Sequence, residues 1–65
     1  MDEELKLMKR LEEMRERHRV LDEQILALSR SAMNQLLVLR LKKEKLIVRD
    51  QIAELERKVY PDIIA

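Results

Sequence analysis

Two apolar rhythms in this chain constrain its fold more than any other feature. Leu7, Leu11, Met14, His18, Leu21, Ile25 and Leu28 recur at alternating spacings of four and three, and Val38, Leu41, Lys45, Val48, Ile52, Leu55 and Val59 recur in the same way. That spacing puts each set on one stripe of an α-helix, the seam of a coiled coil. The two registers are out of phase by one residue, because extending the first seam beyond Leu28 would reach Ala32, Gln35 and Leu39. The seams are also mirror images: Leu28 with Val38, Ile25 with Leu41, Leu21 with Lys45 and His18 with Val48 share one sum of residue numbers, as do Met14 with Ile52, Leu11 with Leu55 and Leu7 with Val59. An antiparallel hairpin turning near Met33 brings every pair to one level.

The predicted fold is therefore all-α: a single unit with a helix over about 2–29, a turn over about 30–35, a helix over about 36–60 and a tail over 61–65. Composition agrees, with no glycine, one proline, one tyrosine as the only aromatic, and 42% charged residues. High charge combined with apolar periodicity marks a long helix or coiled coil rather than disorder. Asp2, Glu3 and Glu4 suit a helix N-terminus, with Asp2 a candidate cap, and Arg57 and Lys58 suit a C-terminus. Pro61 disfavours helix at Tyr60. The link SRSAMNQ holds cap formers in Ser29, Ser31 and Asn34 but no Gly or Pro, which leaves open one continuous helix pairing in trans through the same contacts.

A second apolar set, Val20, Leu26, Ala27, Leu39, Leu46, Ile47 and Ala53, points away from the seam. Two helices bury only one side of each, and exposed aliphatics of this kind mark an interface. Self-association into a helical bundle is expected, most simply a dimer of hairpins. Across the hairpin, Asp22 is expected near Lys42 and Arg17 near Glu44, with Arg15 and Arg49 an unfavourable pair. The tail residues Ile63 and Ile64 either fray or dock on the bundle or a partner.

Few chemistries remain. Without cysteine, disulfides and thiolate metal sites are excluded, and a single histidine is not a metal site. His18 and Lys45 read as polar residues that set the register of the seam, with a pH response the sharper reading for His18. No catalytic set and no phosphate loop is present, so neither enzymatic activity, nor a cofactor, nor a small-molecule substrate is expected. The net charge of +1 conceals a block from Arg30 to Arg49 with six cations and one acid, Glu44. Arg40, Lys42, Lys43 and Arg49 are candidate phosphate contacts, weighed down by interleaved acids and the lack of stacking aromatics. The leading expectation is a protein–protein interaction or regulatory adaptor module; the alternative is a nucleic-acid-associated coiled coil using residues 40–49. A membrane-surface helix ranks third, and a cytoplasmic location is expected in the absence of a signal-like start.

The runs RHRVLDEQI and RLKKEKLIVRDQI and the ending PDIIA resemble the YdcH-like family, short bacterial proteins of unknown function drawn as helical hairpins. Arg17, His18, Leu21, Asp22 and Ile25 match in the first helix. Leu41, Lys42, Lys43, Lys45, Leu46, Val48, Arg49, Asp50 and Ile52 match in the second. The resemblance spans roughly residues 11–65. It implies a hairpin and supplies no activity. The turn departs from the family, whose members commonly carry Pro or Gly and an acidic pair there.

Overall fold

The structure, a computed structural model, describes residues 2–60. Helix α1 runs Asp2–Leu28, a single turn of 3₁₀ helix runs Ala32–Asn34, and helix α2 runs Gln35–Val59. The helices fold back and pack on one another, so the chain is the antiparallel hairpin that the mirrored seams predict, not the continuous helix they left open. Asp2 is the first helical residue rather than the one before it. In that place it still sets its carboxylate, with those of Glu3 and Glu4, against the positive end of the helix dipole. Residues 61–65, including the expected docking residues Ile63 and Ile64, lie outside the described residues.

The turn is made without glycine because none of its residues needs a positive φ. Ser29 continues the helical pattern, its N–H donating to the Ile25 carbonyl at 2.9 Å. Ser31 then takes an extended conformation (φ −117°, ψ 129°), and its hydroxyl accepts from the Met33 N–H. The Asn34 side-chain amide donates back to the Leu28 carbonyl at 3.4 Å, and its backbone N–H donates to the Ser31 carbonyl at 3.1 Å. The Asn34 amide thus serves a carbonyl at the end of α1, while the Ser31 hydroxyl caps the 3₁₀ turn that leads into α2. At the far end the Tyr60 N–H closes α2 on the Glu56 carbonyl, and Pro61 follows.

The core lies along the seam. Leu11, Met14, Leu21 and Ile25 of α1 and Val38 and Val48 of α2 are buried, with Leu11 only 2% exposed. Met14, Leu21 and Val48 form one cluster against which Leu41, Ile52 and Leu55 pack. Leu7, His18, Leu28, Lys45 and Val59 are half-buried, as expected where two helices form a single layer with no third element to cover its flanks.

Candidate interaction surface

Cross-helix ion pairs flank the seam and define two sides of the hairpin. On one side Arg15 pairs with Glu56 at 2.9 Å and Lys45 Nζ donates to Asp22 at 2.5 Å. On the other, Arg17 pairs with Glu44, where the sequence places that pair. The other two pairings correct the expectation. Asp22 takes Lys45 rather than Lys42, because the lysine's four-carbon stem carries its ammonium from a seam position to the flank. Arg15 reaches Glu56, one heptad beyond Arg49, so the like-charged contact does not arise. The Lys45 hydrogen bond, then its charge, then the charge of His18 hold the Asp22 carboxyl below its usual range.

Some charges of α1 pair within that helix. Arg19 binds both Glu16 and Glu23, and Arg10 meets Glu13 at 3.7 Å, the i,i+3 and i,i+4 pairs of a solvated helix face. Contact with Arg19 lowers the Glu16 pKa and raises that of Arg19. Helix α2 is different. Arg40, Lys42, Lys43 and Arg49 are exposed and form no ion pair among the described residues.

The outward aliphatics are exposed. Leu26 is 64% accessible, Ile47 59%, Leu39 56% and Leu46 55%. Val20 and Ala27 are exposed as well, whereas Ala53 is half-buried. The expected set omitted Leu5, Met8, Met33, Leu36, Leu37 and Tyr60, which are also exposed. Leu36 and Leu37 belong to the run Leu36 to Leu39, too short and too near the turn for its periodicity to be read.

Shallow hollows lie on both sides of the seam, one of them between Arg10, Gln51 and Lys58 on the Arg17 flank. Leu39 and Lys42 line another with Ser29, Gln35 and Val38; Lys42 lines the next with Lys45, Leu46 and Arg49. Met8 and Tyr60 line one more at the open end. Among the described residues no cluster of His, Asp or Glu could hold a metal ion, and no helix is long and apolar enough to cross a membrane. The hollows described are open, with walls of mixed aliphatic and cationic character.

Residues 11–56 match the model of a family described as a protein of unknown function, DUF465. No curated protein matches the chain, and no solved structure does.

Proposed function

The chain belongs to DUF465, the YdcH-like family, and from that premise we propose that it is a non-enzymatic interaction module that works by helix-to-helix contact, first with itself and then with a protein partner in the cytoplasm. The observation that carries this reading is the row of leucines and isoleucine left more than half exposed on a layer only two helices wide.

Light scattering coupled to size exclusion at micromolar concentration tests the proposal. The expected result is a helical species of at least twice the chain mass, with a melting temperature that rises with concentration. A stable, fully helical monomer overturns it.

The exposure of Arg40, Lys42, Lys43 and Arg49, and the freedom of Lys42 from Asp22, favour a second reading as a phosphate-binding surface. Binding to duplex DNA would then fall steeply between two salt concentrations and weaken in K42E/K43E. Absence of binding at low salt removes this reading.

A further inference from the structure

We propose that the turn end of the hairpin docks on an anionic membrane surface, an apolar crown entering the headgroup layer and a collar of cations meeting the lipid phosphates behind it. The contact goes beyond the interaction reading above. It needs one chain only and uses the tip rather than the length of either helix.

Charge singles out this end. From Gln24 to Lys43 the chain holds Arg30, Arg40, Lys42 and Lys43 and no Asp or Glu. All four cations are exposed, and none forms an ion pair among the described residues. The stretch carries +4 against a net +1 for the whole chain, so the rest carries −3. The first acids behind the tip are already held: Asp22 by Lys45, Glu23 by Arg19 and Glu44 by Arg17.

The apolar crown stands in front of these cations. Met33 is 94% exposed and Leu36 75%, more than any other large apolar side chain described, and Leu37 is exposed beside them. Helical side chains incline toward the helix N-terminus, which for α2 is the turn. Leu36 and Leu37 therefore lean toward the tip, and so do Arg40, Lys42 and Lys43. At about 1.5 Å per residue these cations leave the backbone about 8–12 Å behind Gln35, and their long stems carry the charges forward. A segment at the membrane interface sinks its apolar part by about 5–10 Å. Crown and collar are thus spaced like the acyl boundary and the phosphate layer. The Ser31 hydroxyl and the Asn34 amide are hydrogen-bonded within the turn, and no carboxylate has to leave water.

Soluble partners fit this end less well. The hairpin is a rod with a cross-section of 24 × 13 Å, and its end is much smaller than the roughly 800 Å² per partner of a standard protein interface. A nucleic acid would engage the cations but leave Met33 and Leu36 in water, with no aromatic at this end to stack on a base. A bilayer moulds around a narrow tip and satisfies both layers at once. Among the described residues no helix is long and apolar enough to cross a membrane, so the contact is made from the surface.

Flotation of the full chain with lipid vesicles tests the proposal. The chain should float with vesicles of phosphatidylglycerol and phosphatidylcholine in equal parts, stay behind with phosphatidylcholine alone, and be released by high salt. K42Q/K43Q should weaken partitioning about 25-fold, at about fivefold for each lost cation. M33Q/L36Q, which changes no charge, should weaken it roughly tenfold or more. K6Q/K9Q makes the same charge change at the open end and should stay within about twofold of the parent, since it lies beyond the screening length. All these positions are exposed, and circular dichroism checks that each variant keeps its helicity. Tryptophan emission of M33W should shift to the blue on anionic vesicles. Failure to float with anionic vesicles at low salt overturns the proposal, and binding of duplex DNA or an acidic polypeptide in its place assigns the cations to a soluble partner. Equal losses in K6Q/K9Q and K42Q/K43Q overturn the tip as the site. So does vesicle binding that leaves M33W emission unmoved and M33Q/L36Q unimpaired.

Discussion

The two helices are near equals in length and seam, yet they handle charge in opposite ways. Helix α1 binds two of its four arginines to its own glutamates: Arg19 to Glu16 and Glu23, and Arg10 to Glu13. Helix α2 has no such internal pair among the described residues. It spends Glu44 and Glu56 on α1 and leaves Arg40, Lys42, Lys43 and Arg49 free of ion pairs, between exposed Leu39, Leu46 and Ile47. Both helices leave aliphatics uncovered, but internal ion pairs occur on α1 alone among the described residues. That difference is sharpest on the outward side of α2 near the turn, where Leu39 and Leu46 stand beside Lys42 and Arg49.

The largest expected effect separates seam from surface. Leu21→Ala removes a side chain only 5% exposed and should cost about 2–5 kcal/mol, enough to abolish helicity at low concentration. Leu36→Ala, at a position 75% exposed, should stay within about 0.5 kcal/mol. Far-UV circular dichroism during urea titration distinguishes them, and equal losses would mean that the turn-end leucines are already covered in solution.

A smaller effect tests the contact between the helices. The folded Asp22 carboxyl is held below its usual pKa, so the stability from its pair with Lys45 is complete above the unfolded-state pKa. It is lost as pH falls through the lower, folded-state value. Urea midpoints measured from neutral to strongly acidic pH should therefore fall at the acid end, and Asp22→Asn should flatten part of that fall while lowering the midpoint at neutral pH. An unchanged acid limb in the variant would show that the pair adds nothing to folding.

The smallest effect belongs to α1 alone. Arg19→Gln removes two exposed pairs within one helix and keeps a good helix former. Its midpoint should shift less than that of Asp22→Asn, and the shift should vanish in high salt. A larger shift would give Arg19 a role outside α1 and blur the contrast between the helices.

The sequence was sufficient for the two helices and their mirrored seams. Seam periodicity is a property of helix geometry, and the one-residue phase slip marked where Ser29 to Asn34 turn, while the choice of a hairpin over one continuous helix came from the structure. The fourteen seam positions are buried or half-buried, including His18 and Lys45. The outward aliphatics were legible for the same reason, except near the turn and the helix ends, where there are too few residues to show a period.

Tertiary structure decided what long and short polar side chains do once the backbone is placed. Residue numbering sets the level of a Cα but not where a lysine's four-carbon stem carries its charge, so Asp22 took Lys45 and left Lys42 open. Nor does it say which backbone group a serine or asparagine will satisfy. Ser31 and Asn34 could close the turn without glycine only because the local φ and ψ angles brought Met33 N–H and the Leu28 carbonyl within their reach. Periodicity is carried by the backbone and is written in the order of residues, whereas partner choice depends on distances that exist only after the two helices have met.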